Sequence, residues 1–179
     1  MPTARHIVRA WRMDRRIPTR TLSAFSAWLY VGDEVPAACL LLQDELGLDV
    51  NLVLWCLFAG ARGTALTPEM IATADAASAP WRAHVVRPLR EVRRWLKTAG
   101  PEAQALRKQV LAQEIDSEWH QQSLIYAAVV LDDLPASSWV GASNLAAYLR
   151  WANVVPTVDA TEAVRTLLAS AYPAVSVVS

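Results

Sequence analysis

The sequence predicts an all-α protein: a compact bundle of about seven helices that contains an αα-hairpin and one long helix. Three observations carry that expectation. Apolar residues recur at helical spacing between glycines, prolines and capping residues. No strand alternation persists outside the short run Val175-Ser176-Val177-Val178, and no repeat of roughly 30 to 45 residues supports a solenoid. With 54% of its 179 residues hydrophobic, the chain can build a sizeable core and is too apolar for intrinsic disorder. That length fits one domain, expected over residues 21–173.

Each element has its own signal. Leu22, Phe25, Trp28 and Leu29 share one face of a short helix that ends near Gly32. Asp33 caps the next, with Pro36 in its first turn and Val35, Cys39, Leu42 and Leu46 along one side. Gly47 stops it in the left-handed conformation that glycine adopts cheaply. Asp49 then caps a helix from Val50 to about Arg62, closed by Gly63, and this pair forms the hairpin. Thr67-Pro68-Glu69 starts a polar helix running to about Ala77. A further helix spans Pro80 to Lys97, in which Pro88 should kink the backbone without ending it. The long helix opens at Pro101 and reaches toward Leu131, where Asp132-Asp133-Leu134-Pro135 breaks it. On a helical wheel Leu111, Ile115, Trp119, Tyr126, Val129 and Val130 fall within an arc of roughly 100°, which predicts a buried stripe with Trp119 at its centre. Helices over Ala142–Trp151 and Asp159–Tyr172 complete the bundle, and 174–179 forms a tail.

The zero formal charge hides an asymmetry. Residues 1–20 hold six arginines against Asp14, so they carry +5 and the remainder, with 11 basic and 16 acidic residues, carries −5. An arginine-rich start before the apolar run Leu22 to Val31, with Ala37-Ala38-Cys39 behind it, has the outline of a secretory signal. Pro36 stands where such a site wants an aliphatic residue, and Leu40-Leu41-Leu42 continues as helix core, so a basic, flexible tail is the simpler reading. The longest uncharged run, the 16 residues Leu134 to Leu149, is too short and too polar to cross a bilayer. Two cysteines give no disulfide framework and point to a reducing cytoplasm. Cys39 and Cys56 lie in apolar stretches, as inert core thiols do.

Catalytic signals are lacking. No nucleophile motif, glycine-rich phosphate loop or metal-spaced Cys or His set occurs, and no catalytic residue, metal or cofactor is assigned. Asp116 and His120 are four apart but fall on a polar helix face, which reads as solvated surface. Asp132-Asp133 reads as a helix terminus and loop. The strongest signal is a basic ladder. Arg87, Arg90 and Arg94 stand at i, i+3 and i+7, opposite a stripe of Val85, Leu89, Val92, Trp95 and Leu96 expected in the core. The helix dipole accounts for cations only in the last turn, so it leaves Arg87 and Arg90 unexplained. Asp44 and Glu45, in the last turn of the second helix, are possible internal partners for Arg87 or Arg90. An external acidic partner is the competing reading.

Residues 38–63, ACLLLQDELGLDVNLVLWCLFAGARG, and 80–97, PWRAHVVRPLREVRRWLK, resemble a proteobacterial family catalogued as domain of unknown function 2390. NLAAYLR at 144–150 fits the same pattern, and residues 1–21 lie outside it. The resemblance implies a bacterial, soluble, helical protein and supplies no catalytic residue. The function expected from all this is a noncatalytic module that binds another protein, an acidic one through Arg87, Arg90 and Arg94, or a partner through the apolar C-terminal tail. The alternative is an enzyme or small-molecule binder with a pocket between tryptophan-rich helices, where Asp44, Asp49, Asn51 and Trp55 supply contacts. Nucleic acid ranks third, because outside the tail the net charge is negative.

Overall fold

A computed structural model describes residues 17–173. Most of the basic tail assigned to 1–20, and all of the tail assigned to 174–179, lies outside the described residues. The described residues form eight α-helical segments and no strand. These are α1 (Leu22–Leu29), α2 (Val35–Leu46), α3 (Val50–Ala61), α4 (Pro68–Trp81), α5 (Arg87–Leu96), α6 (Gln104–Ala128), α7 (Ser138–Trp151) and α8 (Val158–Ala171). A π-helical turn, Arg82–Val86, joins α4 to α5 in one continuous rod, leaving seven helical bodies in a compact bundle.

Local chemistry sets most of the boundaries. Thr21, Asp49, Thr67, Ser137 and Thr157 each accept a backbone N–H of their helix's first turn. Gly47 closes α2 with φ of 64° and Gly63 follows α3 with φ of 67°, both in the left-handed region. The break expected near Ala77 does not occur. Pro80 lies inside α4 at an exposed position, where water can take the carbonyl that proline cannot satisfy. Pro88 does not end its helix either. It has no N–H for the His84 carbonyl and its ring crowds that group, and the turn just before it widens to the π register, with the Arg87 N–H donating to Arg82 O.

The core is organised around α3. Every residue from Val50 to Ala61 is buried, as expected of a helix that is apolar on all sides. Phe25 of α1 meets Phe58 of α3, with ring centroids 5.6 Å apart, and Trp28 of its own helix, at 5.9 Å. α3 packs most extensively on α7, α2 on α8, and α6 on both α4 and α5. Gly60 and Gly141 permit the α3–α7 approach: a Cβ on Gly60 would lie 2.5 Å from the Gly141 Cα. Tyr172 seals that crossing by donating to the Leu57 carbonyl at 2.5 Å.

The long helix corrects the predicted stripe. Trp119 is 49% exposed, Leu111 and Ile115 are also exposed, and Val130 is almost fully so. The residues α6 buries are Glu114, Ser117, Gln121, Gln122 and Ile125. On α5 the expectation fails in the same way: Val92 and Trp95 face solvent, Trp95 at 67%, and of the predicted stripe only Leu96 is buried. The reason is complementarity between the two helices. Arg90 and Arg93 of α5 meet Glu114 and Glu118 of α6, so the polar faces find partners by turning inward. Trp81 adds a further polar tie, donating its indole N–H to the Ser117 carbonyl at 2.9 Å and meeting exposed His120 in a tilted ring contact, centroids 4.2 Å apart. Asp116 is solvent-facing, as its position on the wheel predicts.

Candidate functional site

A cleft of about 550 Å³ opens where the end of α2, the α2–α3 turn, the α4–α5 rod and the end of α7 converge. The rod supplies Asp75, Arg82, Arg87, Arg90, Glu91 and Arg94; the turn supplies Leu48 and Asp49. Tyr148 and Trp151, stacked with centroids 6.1 Å apart, close the α7 side. Three of the ladder arginines therefore reach one cavity, together with the candidates Asp44 and Asp49. Asn51 is buried behind the cleft, and Trp55 is fully buried in the core and lines no part of it.

The three ladder positions do different things. Arg90 turns away from solvent to pair with Glu118 and, at 3.5 Å, with Glu114. Arg93 makes a two-pronged contact with Glu114, one prong at 3.1 Å. Arg94 reaches Asp44 at 3.0 Å with both side chains about half exposed, a pair worth roughly 0–1 kcal/mol. Arg87 is exposed and has no carboxylate partner among the described residues. The expected pairing of Arg87 or Arg90 with Asp44 and Glu45 is thus replaced. Asp44 takes Arg94, and Glu45 accepts from the Thr157 hydroxyl at 3.3 Å.

The back wall is built on Asp49. Its Oδ1 caps α3 by accepting from Asn51 N at 2.9 Å, and its Oδ2 accepts from Arg82 at 2.7 Å and from Gln121 Nε2 at 2.5 Å. Its own backbone N–H donates to the Tyr148 hydroxyl at 3.1 Å. Arg82 also holds Asp75 at 2.8 Å, so one guanidinium serves two carboxylates. Sequence reasoning, which counts Arg82 only as broadening the basic ladder, places neither Arg82 nor Gln121 in the site. The signal for Arg82 is its spacing of seven from Asp75, two turns along one helix; Gln121 offers none, since its partner lies 72 positions away.

Burial acts on several groups here. It holds the Glu118 carboxyl above the ordinary range, opposed by its hydrogen bond and charge attraction to Arg90. A proton is then bound more tightly in the folded than in the unfolded chain, so Glu118 costs stability as pH rises from about 4.5 through its raised value. Relative to Glu118→Gln, the parent should therefore lose stability as pH rises from about 4.5 through that raised value, and the difference between the two should level off below about 4.5. Denaturant midpoints of both proteins across that range check the sign; a parent that gains on the variant as pH rises would refute it. Burial also pushes the Cys39 thiol up to about 11 and the Cys56 thiol higher still, so both free cysteines are protonated core residues at neutral pH.

Fold and cleft together define an all-helical protein with a charged, open cavity between helix ends, whose ionised groups mostly pair with one another. The chain belongs to the family described as a protein of unknown function (DUF2390), which matches residues 21–125. Neither a curated protein nor a solved structure matches the chain. The matched span begins at Thr21, before α1, and ends inside α6. It includes the blocks 38–63 and 80–97, whereas 144–150 and the α7 wall of the cleft lie beyond it. No helix among the described residues is long and apolar enough to cross a membrane.

Proposed function

We propose that this protein is a noncatalytic module that binds an acidic segment of another protein in the Arg87 cleft. The observation that carries the reading is Arg87 itself: an exposed guanidinium with no carboxylate partner among the described residues, on the wall of a cavity large enough for a peptide's side chains. Arg94 can join it, because its exposed pair with Asp44 costs little to exchange for an incoming carboxylate. Leu46, Leu48, Trp151 and Val154 add apolar wall beside the charges, the combination of arginine and aromatic anchors on which interfaces concentrate their binding energy. The protonated free thiols suit a reducing bacterial cytoplasm, the compartment we assign.

A fluorescein-labelled Asp/Glu-rich peptide should bind with an affinity that falls as salt is raised, read by anisotropy. Arg87→Glu should weaken that binding at least about tenfold while shifting stability by no more than about 0.5 kcal/mol, because nothing in the fold depends on that side chain. A folded Arg87→Glu protein that binds the peptide as well as the parent would overturn the proposal.

A further inference from the structure

A second cavity, of about 290 Å³, lies on another side of α3, between α1 and α6. Its walls are mainly apolar: Tyr30, Val50, Leu54, Ile115 and Trp119. Four polar side chains also reach it: Ser26, Asn51, Glu118 and Gln122. Glu118 is occupied by Arg90. Ser26 and Gln122 are 3% and 4% exposed, and the Ser26 hydroxyl and the Gln122 Oε1 have no hydrogen-bond partner among the described residues. Buried polar atoms are nearly always paired, so two orphans lining one apolar cavity call for an explanation.

The polarity of the Gln122 amide follows from the residues behind it. Asp49, ion-paired with Arg82, can only accept hydrogen bonds, so Gln121 must turn its NH₂ toward Oδ2. The Gln121 Oε1 then accepts from Asn51 Nδ2 at 2.8 Å, and Asn51 Oδ1 accepts from Gln122 Nε2 at 2.9 Å. One ionised carboxylate thereby orients three successive amides. The last carbonyl is left over as an acceptor in a cavity that a serine hydroxyl, able to accept or donate, also lines. Flipping Gln122 would set its oxygen against the oxygen of Asn51, so the orphan cannot be relieved internally.

We propose that this cavity binds an uncharged, largely apolar small molecule carrying one N–H or O–H donor, which it gives to Gln122 Oε1 with Ser26 alongside. The apolar walls hold the body of the ligand, and the oriented acceptor selects for the donor. Rejection of a donorless analogue follows from the penalty of leaving a buried carbonyl unpaired. The site is separate from the Arg87 cleft and stands or falls independently of the acidic-peptide reading.

Indole and its donorless isostere benzofuran are suitable probes, titrated by calorimetry into the full chain with amide shifts followed by NMR. Indole should bind and perturb the side-chain amide of Gln122, with benzofuran about fivefold or more weaker. Ala27→Phe, which fills the cavity mouth from α1, should abolish indole binding without altering acidic-peptide binding. Ser26→Ala, a milder change, should weaken it. Equal affinity for indole and benzofuran, no binding of either, or indole binding that survives Ala27→Phe in a folded protein would each overturn the proposal.

Discussion

Replacing Trp55 by alanine should cost roughly 3–5 kcal/mol, among the largest effects any single truncation of this protein can have. The side chain is fully buried at the middle of α3, the helix on which α1, α6 and α7 all pack, so its removal opens a cavity that no neighbour can reach to fill. Its indole N–H is itself unpaired, which returns a little of that cost, and Trp55→Phe should accordingly be far milder than the alanine. The contrast lies with Trp119. At about half exposure on α6, Trp119→Ala should change stability by less than about 1 kcal/mol. Urea titrations of the three variants decide the matter; a Trp119→Ala midpoint lower than that of Trp55→Ala would mean the two faces of α6 have been assigned the wrong way round.

Arg90→Glu should destabilise the fold by about 3–5 kcal/mol. The substitution places a third carboxylate against Glu114 and Glu118 at the α5–α6 interface, where Glu114 is almost completely buried and, among the described residues, Arg93 is left as its ion-pair partner. Arg87→Glu, one turn earlier on the same rod, touches no ion pair and should leave the melting temperature essentially unchanged. Adding Glu118→Gln to Arg90→Glu should recover part of the loss by removing one of the three like charges. Thermal melts of this set separate a structural arginine from a free one. If Arg90→Glu melts with the parent, the charged α5–α6 interface does not hold the fold together.

Much of the architecture could be read locally. Asp49, Thr67-Pro68, Gly47 and Gly63 begin and end helices through chemistry confined to one turn, and the observed boundaries fall within a residue or two of the expected ones. Ser137 and Thr157 cap α7 and α8 in the same way, and their signals were present in the sequence although α7 was expected to begin four residues later. The family blocks over 38–63 and 80–97 were legible too, because a run of residues is compared with a run of residues and no folding is involved. The cleft was legible in part: Arg87, Arg90, Arg94, Asp44 and Asp49 stand around it, but the charge of Arg90 is taken by Glu114 and Glu118, and Trp55 went to the core.

The amino-acid pattern alone establishes that this chain is helical and where most of its helices start and stop. Which faces of α5 and α6 turn inward was settled by packing. Periodicity locates an apolar stripe and a polar stripe on a helix but cannot say which is buried, because that depends on whether the polar side chains find partners across the interface. Here they do: Arg90 and Arg93 meet Glu114 and Glu118, and Asp49 orients Gln121, Asn51 and Gln122. Each of those contacts joins residues 21 to 72 positions apart, a separation at which nothing in the local pattern records the partner.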